Sequence, residues 1–367
     1  MKFKALNFKC PNCGAPSKFS PATGKLKCDF CGSTFPIEKS MEEIKEYDYR
    51  TALERLSKNH KEMHDKEVKC TNCGSSFTLS PYSVSTVCPF CGTPTIVDFV
   101  RDITPQSIIP FLFTEEKAKT YFKKWIGSLW FAPSALSKYF RENEKLKGYY
   151  LPYWTYDSDT ATHYTGQRGD VYYVTVTRTV VENGRRRNIR TQEPRIRWTP
   201  ANGRVGMAFD DVTIGATHTI SRVIIDSLAP WDTTILKPFD ERYLSGFEAE
   251  EYTIGLDNGF EFAKVKMQAA IKGLIRRDIG GDKQQITSVN TDYNTVTYKN
   301  VLFPVWTATF EYKNKIYRYA INAQTGKISG EHPYSYVKIA LAVGSALIAA
   351  GLLFYMNGNA SMFSVNY

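Results

Sequence analysis

Apolar residues recur at different spacings along the chain, and those spacings divide it. From Met41 to Lys69 a strongly charged stretch carries Tyr49, Leu53, Leu56, His60 and Met63 four, three, four and three residues apart, which predicts one helical face. Ser107 to Lys147 predicts a second helical segment. Thr114 is placed as its cap, Glu115 and Glu116 suit its first turn, and Ala118, Tyr121, Phe122, Trp125, Ile126 and Leu129 form a broad apolar stripe. Pro133 restarts the chain, and Leu136, Tyr139 and Phe140 predict a further short helix.

Beyond Gly148 the period falls towards two and the vocabulary becomes Tyr, Val, Thr, Ile and Trp, which suits a pleated surface. Strands are expected at Val171–Val181 and Arg186–Trp198, joined by an Asn183-Gly184 hairpin turn, and again at Val212–Ile220, Val301–Tyr312 and Lys315–Ile321. Turns are expected at Asn314 and Thr325-Gly326. Phe260, Ala263, Met267, Ala270, Ile271 and Leu274 make a helical face able to cover that sheet. Leu151–Thr155 and Phe303–Thr307 read LPYWT and FPVWT. Each is expected to open a strand, with proline where no donor is needed. Their likeness reads either as an internal duplication or as two Trp-anchored strand starts in one core.

The last periodicity is its absence. Ile339 to Met356 runs eighteen residues without a charge, with no polar face, long enough to span about 27 Å as a helix. A membrane helix is expected over 337–357, with a short tail at 358–367. Lys338, Lys327 and Arg318 precede the span and the tail holds no Lys or Arg, so the N-terminal part is expected in the cytoplasm. Ala342, Ala346 and Ala350, with Gly344 and Gly351 nearby, suit close approach of another helix; frequent alanine in membrane helices accounts for them equally well.

Composition sharpens the picture at the other end. All eight cysteines fall in two runs, Cys10, Cys13, Cys28 and Cys31, then Cys70, Cys73, Cys88 and Cys91, each C-x2-C-x14-C-x2-C. Gly14, Gly32, Gly74 and Gly92 follow the second cysteine of each knuckle, where a tight turn brings backbone amides toward the thiolates. The spacing points to two structural four-cysteine zinc ribbons and two zinc ions; a rubredoxin-type iron site uses the same sulfurs and stays open. Met1-Lys2-Phe3-Lys4 carries no signal-peptide core, so reduced thiols are expected rather than disulfides.

The expected fold class is α+β, with two N-terminal zinc ribbons, a helical connector, a mostly antiparallel β-rich α+β domain and one C-terminal transmembrane helix. The expected limits are 1–39 and 68–100 for the ribbons, 40–67 for the charged linker, 101–147 for the helical segment and 148–336 for the β-rich domain.

With 47 Lys and Arg against 37 Asp and Glu, the formal charge of +10 favours an anionic partner. Its densest cluster, Arg185, Arg186, Arg187, Arg190, Arg195 and Arg197, suits anionic lipid or phosphate, or simply a solvated strand edge. His60 and His64 stand one turn apart, but NHKEMH lacks the H-E-x-x-H order. Asp210 and Asp211 are expected in a turn. No phosphate-binding loop, G-x-S-x-G elbow or kinase motif set occurs, so no catalytic residue is assigned and a non-enzymatic protein is expected.

Two CxxCG ribbons, Ile108-Ile109-Pro110-Phe111, Trp130-Phe131-Ala132-Pro133, Gly148 to Trp154, Tyr243-Leu244-Ser245-Gly246-Phe247, Thr325-Gly326-Lys327 and the terminal apolar span together resemble bacterial membrane-anchored double zinc-ribbon proteins. Members are often labelled primosomal protein N-prime-like or transcription-factor-IIB-type zinc fingers. A helicase role conflicts with the missing phosphate loop. The resemblance implies an association with phage-shock and flotillin-like membrane-stress proteins. The expected function is therefore a membrane-anchored adaptor recruiting protein partners or self-associating at the cytoplasmic face. The alternative is a nucleic-acid-binding ribbon protein tethered to the membrane.

Overall fold

The computed structural model describes residues 2–38, 40, 43–58, 63–134, 136, 146–182 and 185–360, with backbone alone at Arg185 and at some element ends. It is mixed α+β with extensive antiparallel sheet and five helices among the described residues. In chain order the elements are β1 Lys2–Lys4, β2 Ser17–Ser20, β3 Lys25–Cys28, β4 Thr34–Phe35, β5 Tyr47–Asp48, α1 Tyr49–Leu56, β6 Lys66–Lys69, β7 Ser76–Leu79, β8 Ser83–Val87, β9 Pro94–Ile96, β10 Ser107–Ile108 and α2 Glu115–Ser128. They continue with β11 Lys147–Glu182, β12 Arg185–Gly215, α3 Arg222–Ser227, β13 Lys237–Pro238, β14 Glu248–Glu250, α4 Leu256–Ile279, β15 Lys283–Tyr312, β16 Lys315–Asn322, β17 Ile328–Gly330 and α5 Tyr336–Ala360.

Several sequence expectations need correction. The charged helix shrinks to α1, because Asp48 caps it by accepting from the Thr51 amide and because Lys66 already belongs to a strand between β1 and β7. Strands expected as separate pieces merge: Val171–Val181 lies within the 36-residue β11, and Val301–Tyr312 is the end of the 30-residue β15. Val212–Ile220 ends at Gly215 as part of β12. The Asn183-Gly184 turn, His60, Tyr139, Phe140 and the tail from residue 361 lie outside the described residues.

β11 is the spine. It pairs antiparallel with β12 from Tyr153↔Gly215 to Glu182↔Arg185 and with β15 from Lys147↔Thr307 to Gly169↔Lys283. At about 3.4 Å per residue its contour approaches 120 Å, and bulges near Asp157 and Gly166 let so long a strand bend. Beyond Gly169 only β11 and β12 continue, as a two-stranded arm about 40 Å long. α4 lies on the three-stranded part through Leu256, Phe260, Ala263, Met267, Ile271, Ile275 and Ile279, all buried at three- and four-residue steps.

The two LPYWT-like segments sit within strands, not at their starts, and they pair with each other. Leu151 stands opposite Phe303, Tyr150 opposite Pro304 and Pro152 opposite Leu302. Each proline carbonyl accepts from the residue just after the neighbouring hairpin strand: Ala216 donates to Pro152 at 2.8 Å and Ala323 to Pro304 at 3.0 Å. The symmetry extends outward, because β10 runs parallel to β15 at Val301–Leu302 and β14 runs parallel to β11 at Tyr149–Tyr150. Two units of short strand, helix and long hairpin, β10-α2-β11-β12 and β14-α4-β15-β16, thus face each other about Leu151 and Phe303. That arrangement gives the two segments equivalent positions in one core, a pseudo-symmetric topology.

Beside these paired segments Phe111, Gly148, Tyr150 and Phe247 converge. Phe111 stacks on Phe247 at 4.2 Å and meets Trp306 at 4.9 Å and Tyr150 at 5.0 Å. A Cβ on Gly148 would come within 2.4 Å of the Phe247 ring, which is why glycine opens that run. The turn Tyr243–Phe247 also holds both cysteine-bearing ends. Ser245 donates its hydroxyl to Ser17 O at 2.7 Å and accepts from the Phe19 amide at 2.9 Å, while Ser85 donates to Phe247 O at 2.7 Å. Nearby, the fully buried Lys66 ammonium lies 2.8 Å from Glu251, whose oxygens also accept from the Val100 and Arg101 amides. The pair ties β6 to the body, and its remaining proton and lone-pair demands are largely met by backbone.

Truncating Phe247 to Ala should therefore cost about 3–5 kcal/mol, the range for a buried aromatic. Denaturant unfolding of the detergent-solubilised chain measures it; a loss under about 1 kcal/mol would mean the aromatic cluster does not hold the fold.

Candidate metal centres

Each ribbon is two knuckles facing one another. In the first, Cys10 donates its amide to Ala15 O at 2.7 Å and Cys28 to Ser33 O at 2.9 Å; in the second, Cys70 donates to Ser75 O and Cys88 to Thr93 O. The glycine after each knuckle has φ between 70° and 77° and donates back to the first cysteine carbonyl. A side chain there would be strained whatever the space around it. β2 and β3 carry the first ribbon and β8 and β9 the second, while β1 crosses over to pair with β6. Through β14 the second ribbon is continuous with the large sheet.

The sulfurs meet. Cys10 and Cys31 stand 3.6 Å apart, Cys13 and Cys28 3.5 Å, Cys70 and Cys91 3.7 Å, and Cys73 and Cys88 3.8 Å. All four ligand atoms of each set lie within 4.8 Å of one another. A tetrahedron with metal–sulfur bonds of about 2.3 Å has edges of about 3.8 Å, so both sets fit one metal ion apiece. All eight cysteines are free, which agrees with the expected ligand role.

The thiols are not equivalent. Hydrogen bonding from Ser33 brings Cys31 down to about 6, and Thr93 does the same for Cys91. Cys73 is lowered by Ser75. The Ala15 amide pulls Cys13 down, but its thiol neighbours push it up to about 12, and burial raises Cys88 to about 11. Aligning the ribbons shows two features the spacing alone did not single out. Asn12 and Asn72 each place Nδ2 3.8 Å from the fourth cysteine's sulfur, where they would orient it toward a bound metal ion. Phe30 and Phe90, 80% and 66% exposed, occupy the same knuckle-tip position. The repeated C-x-N-C-G and F-C-G were the available signals.

Asp210 and Asp211 are in β12, where Asp211 has φ 49° opposite the irregularity at Asp157, and not in a turn. Glu46, Asp157 and Asp210 bring carboxylates together. The buried Lys299 ammonium lies beside this cluster, 2.9 Å from Glu46, 4.0 Å from Asp157 and 2.8 Å from the adjacent Asp211, so Glu46 and Asp157 have an internal cation. Burial lifts Asp157 to about 6, while the Lys299 hydrogen bond lowers Glu46.

The basic cluster divides between the two faces of the arm. By register, Arg187, Arg195 and Arg197 share one face with Asp170 and Glu193, and Arg186 and Arg190 share the other with Tyr173 and Trp198. Arg178 pairs with Glu193, and the Arg197 guanidinium lies 5.1 Å over the Tyr172 ring. The side chain of Arg185 lies outside the described residues. A cleft of about 570 Å³ opens over β11, β15 and β16, with Lys147, Tyr149, Thr309 and Arg318 in its wall. Its lining holds no histidine, cysteine or aspartate among the described residues.

α5 is long and apolar enough over Tyr336–Leu353 to cross a membrane, and none of that stretch is buried against the body. Fold and sites together define a mixed α+β protein with two four-cysteine metal-ribbon sites and an apolar C-terminal helix. The chain is similar to YdjG of Bacillus subtilis (strain 168), described as an uncharacterized protein, at 26% identity over 96% of this chain and 98% of the relative. No protein-family model matches the chain, and no solved structure matches it.

Cys31→Ser should leave one metal ion per chain instead of two by elemental analysis, and loading the metal-free protein near neutral pH should release protons from Cys13 and Cys88. Asp157 binds its proton more tightly folded than unfolded, so its contribution to stability falls as pH rises from about 4 to about 6. Asp157→Asn should flatten the melting temperature over that window; an unchanged slope would show that burial does not perturb this carboxyl.

Proposed function

We propose that the chain is a non-enzymatic adaptor anchored to a membrane by α5, with its two ribbons binding zinc and its body on the cytoplasmic side recruiting protein partners. The observation that carries this reading is α5 itself. Over Tyr336–Leu353 none of it is buried, yet it is joined to the body at its base, where Ser335 donates to Phe131 O at 2.7 Å and Lys338 to Ala132 O at 2.8 Å. An uncovered apolar helix of this length is stable in lipid and costly in water.

Zinc is supported by tetrahedral all-thiolate geometry, in sites that leave no coordination position open for chemistry. Protein recruitment is supported by Phe30 and Phe90, exposed aromatics on small frames that metal binding stiffens. The sequence resemblance adds membrane-stress proteins as the partner class.

A second reading rests on the arm. Tyr173, Trp198, Arg186 and Arg190 on one face combine aromatic and cationic groups as nucleic-acid-binding surfaces do. Crosslinking in intact cells and recovery from detergent-solubilised membranes, comparing the full chain with one cut before Val337, distinguishes the two. Protein partners lost on truncation fit the adaptor. Nucleic acid retained on truncation, with binding that falls steeply with salt, overturns it in favour of the second reading.

A further inference from the structure

The turn that follows α2 has no evident reason to be apolar on a protein surface. Trp130 is 85% exposed, Phe131 is exposed beside it, and Tyr334 and Tyr336, the latter 84% exposed, lead into α5. These residues come from two distant parts of the chain, and two hydrogen bonds hold them together: the Ser335 amide on Phe131 O and the Lys338 ammonium on Ala132 O. The same contacts fix their height. Lys338 lies in the first turn of α5, so the Trp130–Ala132 turn sits beside the point where the apolar helix begins.

We propose that Trp130, Phe131, Tyr334 and Tyr336 form an aromatic collar around the base of α5 that lies in the headgroup boundary of the bilayer and sets the body against the membrane surface. The inference rests on the membrane reading of α5 and goes beyond it, since a helix anchor alone leaves the body free to swing.

The chemistry of the residues selects the occupant. Tryptophan and tyrosine combine an apolar ring with one polar group and concentrate where hydrocarbon meets water. Lys338, the sole charged side chain between Tyr336 and Met356, has its ammonium drawn back to the Ala132 carbonyl, at the level where a lysine near a helix end meets the interface. A protein partner would have to cover the same ring of residues while also surrounding the start of an apolar helix. The bilayer that receives the helix does both.

Trp130→Phe keeps the collar apolar and alters a side chain that is 85% exposed, so folding is preserved. The full chain and this variant are reconstituted into phosphatidylcholine vesicles whose acyl chains carry bromine at a shallow or a deep position, and tryptophan emission is compared with unbrominated vesicles. Trp125, Trp154, Trp198, Trp231 and Trp306 are common to both proteins, so the difference between them isolates Trp130. Loss of the Trp130 component in brominated vesicles, greater for the shallow position, is the expected result. A Trp130 component left intact while the protein resists alkaline extraction overturns the collar and leaves the anchor standing. A protein that alkaline buffer strips from the vesicles sinks the anchor and the collar together.

Discussion

The contact on which most of the architecture depends is the short turn Tyr243–Phe247. It places one aromatic ring, Phe247, against Phe111, Tyr150 and Trp306, and on its other side offers backbone and a hydroxyl to Ser17, Phe19 and Ser85. Gly246 makes this geometry accessible, with φ at 92° and the Lys18 side chain 3.1 Å from where a Cβ would stand. Ribbons of about forty residues bury too little apolar surface to fold alone, so metal and this docking surface must share the task. Through it, Phe19 and Leu26 of the first ribbon enter the same core as Phe122 and Tyr319, far away in sequence.

The pseudo-symmetric pairing of the two hairpin units explains why the body tolerates proline in the middle of its longest strands. Pro152 and Pro304 each lack a donor, yet both lie where a neighbouring hairpin strand ends and their carbonyls are taken up by Ala216 and Ala323. The two units then diverge. β15 stops pairing at Lys283, so only the β11–β12 hairpin runs on as an arm, and α4 is long enough to follow the sheet where α2 is not. The two units share a topology, and the unequal length of their hairpins leaves the arm on one side.

The parts of the sequence governed by short-range physics were legible. Four cysteines at fixed spacing with glycine after each pair can do little else, and the α4 face and α5 announce themselves by period and by lack of charge. What resisted reading depends on distant partners. Lys66 is charged and looks like linker, yet it is among the most buried side chains because Glu251 accepts from its ammonium and the Val100 and Arg101 amides donate to that carboxylate. The opening residues of β15, Lys283 to Thr297, are polar and half-exposed, so alternation is faint, and only pairing with β11 makes them strand. Asp210 and Asp211 looked like turn residues because a bulge uses the same chemistry as a turn.

Closed four-cysteine sites do not react; they stiffen, and stiffness matters only if something must be held in place. Here the held objects are Phe30 and Phe90, carried at equivalent knuckle tips on two ribbons that share one docking turn. The second ribbon is further locked to the body by a shared sheet and by the Lys66–Glu251 pair. Such a pair does little for net stability compared with apolar packing, but it tolerates only one arrangement of the elements it joins. The body fixes the spacing of the two aromatic tips, and its contacts with α5 relate that body to the helix. Presentation of a defined surface at a defined place is what the proposed adaptor role requires, and that arrangement supplies it.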